Sequence, residues 1–452
     1  MKACTNGKLE AVKVLVSHGA NIKAVDRLKR SVFQQALSRD ENVEIVQFLL
    51  DQGINSENDP KFLESALWKV CRDGLPKMTQ FFLDQGVNLN SRDSCGQTAL
   101  ILACGCCGLS WAEDQEDDSS FTQEEKDEEI RKQTENYQNT IQLLVDRGAD
   151  LNFTSRWETT ALQQLLIKGR TQMAEILVAK GADLNSKCYG FSILAKVCQK
   201  GLIDSAKFLL EKGALINHGK RNHLSDLMVV SQEGQTNTLD LLLLHGADPH
   251  FSTSDGKTAL SLAIERGHVD IVDRLLPLMT DLKALDSSTP NPLSVACVNS
   301  KVDIVDRLIH HGMKANSQDR HGNTPLILTC KSWEPVEMGI VDRLIMHGSD
   351  IHMTDREGWT ALMRACENGH EKVVRRLVDC GSDLNSRNHK GQTPLMISAS
   401  KDMIQIVKIL LEAGADADQR DDQGKRAIDL TTSDEIIQLL SREFFLFFFS
   451  IN

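Results

Sequence analysis

A glycine returns at a fixed interval along most of this chain of 452 residues. Five successive pairs of these glycines are 33 residues apart, at 53 to 86, 148 to 181, 213 to 246, 348 to 381 and 381 to 414. The step from Gly246 to Gly312 is 66 residues, which is twice that interval. The recurring glycines are Gly19, Gly53, Gly86, Gly148, Gly181, Gly213, Gly246, Gly312, Gly348, Gly381 and Gly414. A fixed period of this length is typical of a repeat architecture, in which one supersecondary unit is copied along the chain.

Residues 355–385 contain the clearest copy of this unit. The segment begins with a turn-forming stretch, and Thr360 is the predicted N-cap of a short helix over residues 361–367. A second predicted helix ends at Gly381, because glycine readily adopts the left-handed conformation that follows a helix C-terminus. Its apolar face is formed by Val373, Val374, Leu377 and Val378. A unit of this size cannot bury that face alone, so it needs a copy of itself on each side.

A short motif also recurs at the start of the first helix of each unit. The best copies are Thr324-Pro325-Leu326, Thr393-Pro394-Leu395, Thr258-Ala259-Leu260, Thr360-Ala361-Leu362 and Thr98-Ala99-Leu100. With closing motifs such as Gly181 to Asn185, these residues define about thirteen units that resemble the ankyrin repeat over nearly the whole chain. The resemblance implies an all-α solenoid of helix-turn-helix units with short hairpin fingers, and a concave face that usually binds other proteins.

The chain departs from this family at the position after the Thr-Pro-Leu motif, where the family often has histidine. That position holds Ile101, Gln163, Ser261, Ser294, Ile327, Met363 and Met396. We therefore expect a hydrogen-bonding link between neighbouring units to be missing.

The twelve cysteines could indicate disulfides or a zinc site. Seven of them fall on the same small-residue position of the first helix, which favours a buried packing role. These seven are Cys4, Cys71, Cys104, Cys198, Cys297, Cys330 and Cys366. The tightest cluster, Cys95, Cys104, Cys106 and Cys107, lacks the spacing of a zinc site. Because no signal peptide follows Met1, we interpret the chain as a reduced intracellular protein, cytoplasmic or possibly nuclear in location.

Charge and hydropathy limit the partners. The net charge of −12 argues against a nucleic-acid surface, which requires a basic stripe. No apolar run is long enough to span a bilayer. We predict four segments: ankyrin-type units over 1–111, an acidic and partly disordered insertion over 112–136, further ankyrin-type units over 137–443, and a hydrophobic non-repeat tail over 444–452.

The insertion holds eleven acidic and three basic residues between 112 and 135. It is either an acidic loop for a basic partner, with phosphorylation at Ser119, Ser120 or Thr122, or a solvated excursion, which its composition favours. Thr122 and Glu125 form a predicted capping box, so its second half should be helical and lengthen the second helix of unit four. Ile130, Tyr137, Ile141 and Leu144 fall roughly on one face of that helix.

Both ends of the chain are unusual. Residues from Met1 begin inside a first helix, without the hairpin of a complete unit, and Phe444 to Ile451 form a run rich in phenylalanine. These features indicate a fragment or a misread gene end. The alternative for the tail is the start of a membrane segment, as in channels with ankyrin-type N-terminal domains.

No catalytic motif is present, whether of a zinc protease, a P-loop, a serine hydrolase or a kinase. We therefore expect no enzymatic activity, no cofactor and no metal. The predicted function is a protein–protein interaction scaffold or adaptor that binds its partner on the concave face. Two alternatives are a substrate-recognition subunit of a ubiquitin ligase and the cytosolic ankyrin part of a larger channel or modular enzyme.

Candidate partner-binding residues lie at positions that the family leaves free, at the finger tips and the exposed ends of first helices. They are Arg156, Trp157, Tyr189, Arg320, His321, Trp333, Arg356 and Trp359. Arginine and aromatic residues are the types enriched in interface hot spots. An aromatic residue just after the turn glycine, such as Trp359, has the alternative role of packing on its own hairpin.

Overall fold

The computed structural model describes residues 1–54, 61–106, 122–188, 190–216, 224–279 and 291–441. Several predicted features lie outside these ranges: Cys107, residues 112–121 of the insertion, the candidate site residue Tyr189, and the tail over 444–452. The chain divides into two compact parts, Met1–His218 and Gly219–Asn452. We call them the N-terminal module and the C-terminal module.

The N-terminal module consists of helix pairs, each with a first and a second helix. The first helices are α1 (Lys2–Thr5), α3 (Val32–Ala36), α5 (Phe62–Arg72), α7 (Ala99–Cys106), α9 (Ala161–Ile167) and α11 (Ile193–Gln199). The second helices are α2 (Leu9–Ser17), α4 (Val43–Asp51), α6 (Pro76–Asp84), α8 (Gln123–Asp146), α10 (Thr171–Ala179) and α12 (Ile203–Glu211). A 3₁₀ helix (Asp40–Asn42) precedes α4, and β1 (Lys187–Cys188) pairs antiparallel with β2 (Phe191–Ser192) as a finger.

The C-terminal module repeats the same pattern. Its first helices are α13 (Asp226–Glu233), α15 (Ala259–Arg266), α17 (Pro292–Val298), α19 (Pro325–Lys331), α21 (Ala361–Asn368) and α23 (Pro394–Ser400). Its second helices are α14 (Thr236–Leu244), α16 (Val269–Leu275), α18 (Val302–His310), α20 (Met338–Met346), α22 (Glu371–Asp379) and α24 (Ile404–Glu412). The last pair is a 3₁₀ helix (Ala427–Leu430) followed by α25 (Asp434–Leu440), and another 3₁₀ helix (Leu276–Leu278) extends α16.

The predicted caps are present at the ends of these helices. Thr360 accepts a hydrogen bond from the backbone N–H of Met363, which satisfies one of the unpaired donors at the start of α21. The observed α21 ends at Asn368, one residue beyond the predicted end. Gly381 follows α22 with φ of 85°, as the left-handed C-terminal conformation requires. The predicted all-α solenoid unit is therefore confirmed.

The cores of both modules are formed where the helices of neighbouring units face one another. All seven cysteines at the small-residue position are buried, and none of them forms a disulfide. Burial raises the pKa of the Cys71, Cys297 and Cys366 thiols to about 12. They therefore stay protonated and act as small apolar residues, which confirms their predicted packing role.

Neighbouring units are joined by a hydrogen bond other than the one that the family's histidine would make. The asparagine of the closing motif accepts a hydrogen bond from a backbone N–H in the next unit's loop, at 2.8 to 3.0 Å. The pairs are Asn90 with Asp150, Asn152 with Asp183, Asn185 with Leu215, Asn316 with Asp350, and Asn385 with Asp416. Gln163, at the histidine position itself, also donates to Ser186 of the next unit. The link that we expected to be missing is thus present at Gln163, while the asparagine bonds are a separate link that forms only when two units stack.

Helix α8 carries the second half of the acidic insertion, as predicted. Thr122 and Glu125 form the capping box, and the single helix passes through the predicted boundary at 136. Tyr137, Ile141 and Leu144 are buried, but Ile130 is 40% exposed. The part of this helix that contains Ile130 therefore packs less closely than the part that contains the other three residues. Helix α8 has 24 residues and its neighbour α6 has nine, so α6 is too short to cover the first turns of α8.

Tyr137 fastens α8 to the unit before it, and its hydroxyl group can be tested. The hydroxyl donates to the carbonyl oxygen of Arg72 at 2.8 Å, and its ring lies against Gly74. We expect Tyr137→Phe to lower the free energy of unfolding by about 1 kcal/mol, since it leaves a carbonyl without its partner. Urea denaturation measures this loss. The control Ile130→Ala should change stability by less than about 0.5 kcal/mol, because that side chain is largely solvated.

Candidate functional site

The fingers of the C-terminal module are closed by one repeated side-chain interaction. The first carboxylate of the turn accepts two backbone hydrogen bonds from inside the same turn. Asp319 accepts from the N–H groups of His321 and Asn323, both at 2.8 Å. Asp355 accepts from those of Glu357 and Trp359, at 2.9 and 3.0 Å. The shape of these two fingers is therefore set locally by an aspartate, and Asn388 accepts the equivalent pair of bonds in the next finger.

Neighbouring fingers are joined through their backbones. The N–H of Arg356 donates to the carbonyl of His321 at 2.9 Å, and the N–H of His389 donates to that of Glu357 at 3.0 Å. A Cβ atom at Gly322 would lie 2.9 Å from the backbone nitrogen of Arg356, so the fingers approach too closely for any other residue. Consecutive fingers therefore form a continuous row that holds Arg356 beside His321.

Arg320 and Arg356 are exposed on this row. Arg320 Nε donates to His321 Nε2 at 3.2 Å. Within the described residues, neither arginine has an acidic partner for an ion pair. The tips of these two fingers thus present unneutralised positive charge to solvent.

Most arginines on the second helices of the C-terminal module are paired with an aspartate of the preceding unit's second helix. The exception is Arg375 on α22, which is exposed and has no ion pair within the described residues. In the C-terminal module the pairs are Asp240–Arg274, Asp273–Arg307, Asp306–Arg343 and Asp342–Arg376. Each such surface pair contributes less than about 1 kcal/mol, but together they neutralise these four arginines. On the finger side, by contrast, both Arg320 and Arg356 remain available to a partner.

Trp359 is positioned by an arginine that the sequence alone did not single out. Arg364, on α21, is 7% exposed and its guanidinium lies over the indole ring of Trp359 at 4.1 Å. It also forms ion pairs with Asp355 at 2.7 Å and Glu367 at 3.0 Å. Trp359 is half-buried against its own unit, as its alternative role required. The sequence signal was an arginine inside an apolar helix, three residues before a glutamate.

Trp333 follows the end of α19 and is 88% exposed. The backbone that leads to Trp333 is held by the next unit. Asn368 donates to the carbonyl of Cys330 at 3.1 Å, and the ring of His370 bonds to the carbonyl of Ser332 at 2.8 Å. A large aromatic side chain is therefore presented to solvent from an anchored backbone.

The remaining candidates belong to the N-terminal module. Arg156 is exposed, and its backbone N–H donates to the carbonyl of Cys95 at 3.1 Å, which is the same finger link. Trp157, beside it, is 48% exposed. The structure therefore brings Arg156 and Trp157 together on one finger.

Two other kinds of site have no candidate in the described part of the chain. In those ranges no group of three or more His, Cys, Asp or Glu side chains is arranged to hold a metal ion. None of the described helices combines the length and the apolar character needed to cross a bilayer.

Comparison with known proteins agrees with this geometry. The sequence model described as "Ankyrin repeats (3 copies)" matches residues 33–111, 132–220, 227–319 and 334–421, and "Ankyrin repeats (many copies)" matches residues 1–50. A curated relative is the "Ankyrin repeat domain-containing protein SAT10" of Stachybotrys chartarum, with 24% identity over 213 residues. The alignment covers 47% of this chain and 9% of the relative, so the chain spans a small part of that protein's length. Because the family models match most of the chain, and its helix pairs and fingers repeat as the family requires, the chain belongs to the ankyrin-repeat family.

Proposed function

We propose that this chain is a non-catalytic scaffold or adaptor that binds a partner protein through the finger face of its C-terminal module. The finger face is formed by Arg320, His321, Trp333, Arg356 and Trp359. Ankyrin repeats are in general protein–protein interaction modules. One observation carries the choice of face: Arg320 and Arg356 have no acidic partner among the described residues, whereas four arginines on the second helices, Arg274, Arg307, Arg343 and Arg376, are paired.

The side chains on the finger face suit a partner with acidic groups. Arg320 and Arg356 offer two guanidinium groups, each able to bind a carboxylate through two hydrogen bonds. The chain as a whole carries a net charge of −12, so a local positive region steers an acidic segment to this face and away from the rest of the surface. An extended acidic peptide is the partner chemistry that this arrangement favours.

Trp333 supplies the apolar part of the proposed contact. Interface hot spots are enriched in tryptophan and arginine, and they are strongest where the free protein already holds them in place. The bonds from Asn368 and His370 fix the backbone just before Trp333, at Cys330 and Ser332. Binding therefore orders little more than the side chain itself.

The proposal also includes the compartment. Seven cysteines fill the buried position of the first helix without forming disulfides, where the family uses small residues. This use of cysteine for packing suits a reducing compartment. We therefore propose the cytoplasm, with the nucleus as a second location.

The proposed function is tested by comparing three variants with the parent chain in affinity capture read by mass spectrometry. We expect Arg320→Ala with Arg356→Ala to lose the partner and to lower the salt dependence of its binding. Trp333→Ala should weaken binding by about 2 kcal/mol, or roughly thirty-fold, if it is a hot spot. Affinities follow from titration with the purified partner.

The matched control removes two arginines from the other side of the same module. Arg274→Ala with Arg307→Ala changes the net charge equally but leaves the finger face intact. Circular dichroism establishes that each variant keeps its helical content. A partner that binds all the variants equally would rule out the finger face and move attention to Arg156, Trp157 and Tyr189.

A further inference from the structure

The N-terminal module contains a cleft of about 580 Å³ between α5 and the fingers of units four and five. Five basic side chains line it: Lys61, Lys69, Arg72, Arg92 and Arg156. They come from two parts of the fold, since the first three lie on or next to α5 and the other two lie on the fingers. Only stacking of three units brings them together, so no local sequence pattern marks this cleft.

The positive charge of this cleft exceeds its negative charge. Asp93 is the one acidic side chain among the described residues that line it, and Asp93 accepts two backbone hydrogen bonds that close its own finger, both at 2.8 Å. At the edge, Asp73 pairs with Lys69 at 2.6 Å and lies 4.0 Å from Arg72. Among the described residues, the basic side chains of the cleft therefore outnumber these two carboxylates even without Lys61, in a chain whose net charge is −12. Like charges held this closely repel one another unless an anion joins them.

The cleft walls are held in place before any ligand arrives. Trp68 lines the cleft, and its indole N–H bonds to the hydroxyl of Ser91 at 3.1 Å. The guanidinium of Arg92 lies 3.7 Å from the ring centre of Phe153. The backbone of Arg156 is fixed by its bond to the carbonyl of Cys95. The positive groups are thus preorganised around an aromatic side chain, which lowers the entropy cost of binding.

We infer that this cleft is a second recognition site, which binds an acidic peptide segment of a partner protein with an apolar side chain against Trp68. The inference shares with the proposed function only the idea that the chain binds proteins, and it uses none of the five finger-face residues. A peptide suits the cleft better than a nucleic acid for two reasons. The volume lies within the range of about 300–1,000 Å³ that is usual for sites that enclose a ligand. The basic residues form one cluster rather than the continuous stripe that tracks a phosphate backbone.

The experiment is selection of a displayed random peptide library on the full chain. We expect the selected peptides to be rich in Asp and Glu with an apolar residue among them. Arg72→Gln with Arg92→Gln should weaken their binding at least ten-fold, as measured with fluorescein-labelled copies of the selected peptides. Both arginines are exposed, so the fold should survive, and circular dichroism checks this.

Two control variants establish whether the peptides bind at the cleft. Lys77→Gln with Arg131→Gln removes the same charge from exposed positions on α6 and α8, and it should leave peptide affinity unchanged. The finger-face variant Arg320→Ala with Arg356→Ala should also keep these peptides. If only the finger-face variant loses peptide binding, the result supports the proposed function and overturns the inference that the cleft binds these peptides.

Three further outcomes overturn the inference. The first is selection of peptides without acidic residues, and the second is equal binding by the parent and the cleft variant. The third is a labelled single-stranded oligonucleotide that binds the parent more tightly than the peptides do and is lost with the cleft variant. That result would identify a nucleic-acid site.

Discussion

Replacing Arg364 with alanine is expected to lower the free energy of unfolding of the C-terminal module by about 3 kcal/mol. The side chain of Arg364 is 8% exposed, and that of its partner Asp355 is 4% exposed. Their ion pair at 2.7 Å joins α21 to the finger that precedes it. The truncation leaves the Asp355 carboxylate buried without a counter-charge, which costs more than the ion pair itself contributes. Urea denaturation followed by circular dichroism measures the change.

A paired replacement distinguishes loss of the ion pair from loss of packing. Asp355→Asn with Arg364→Met removes both charges, keeps an apolar chain beside Trp359, and should cost less than Arg364→Ala alone. The asparagine oxygen can still accept the backbone hydrogen bonds that close the finger. If Arg364→Ala changes stability by less than about 0.5 kcal/mol, the side chain is no more important than an ordinary surface residue.

The pH dependence of this loss follows from the pKa of Asp355. Burial raises that pKa, but the hydrogen bonds from Arg364 and from the backbone N–H groups of Trp359 and Glu357 outweigh it, so the net pKa is lowered. A carboxyl group whose pKa is lowered by folding makes its full contribution to stability at pH values above its pKa in the unfolded chain, which is about 3.9. The difference in free energy of unfolding between the parent and Arg364→Ala should therefore have its full size at neutral pH. It should become smaller as the pH falls below about 4 and Asp355 becomes protonated in the folded parent.

The features that the sequence predicted correctly are those set within one unit. The N-cap at Thr360 and the loop glycine at Gly381 each act on backbone groups a few residues away, so their effect can be read from local spacing. The capping box of Thr122 and Glu125 was predicted correctly for the same reason. The buried cysteines followed from their fixed register in the first helix.

The features that the sequence did not predict depend on contacts between units. Asn316 and Asn385 accept hydrogen bonds from the backbone of the next unit. Their partners lie far away along the chain, so no local sequence pattern indicates these bonds. The basic cleft draws Lys61 and Arg156 from positions far apart in sequence, so composition averaged over the acidic chain concealed it. Arg364 was missed because its partner Asp355 reaches it only after the finger folds back on α21.

Replacing Gly322 with alanine is expected to cost about 3 kcal/mol of stability and to disturb the finger row. Gly322 has φ of 80°, and a non-glycine residue in that left-handed region loses about 1–2 kcal/mol. The new Cβ would also lie 2.9 Å from the backbone nitrogen of Arg356, and such overpacking costs about 1–3 kcal/mol more. The finger must shift to relieve that contact. The bond from Arg356 to the carbonyl of His321 is the interaction that such a shift breaks.

Gly348 offers a control with the same backbone and no close neighbour. Its φ is 81°, and a Cβ there would meet no atom within 4 Å. Gly348→Ala should therefore lose only the backbone term of about 1–2 kcal/mol and keep full partner affinity. Urea denaturation and titration with the finger-face partner compare the two variants. If the two variants lost the same stability, the fingers would separate without cost. The contact between fingers would then not be what holds the charges of Arg320 and Arg356 together for a partner.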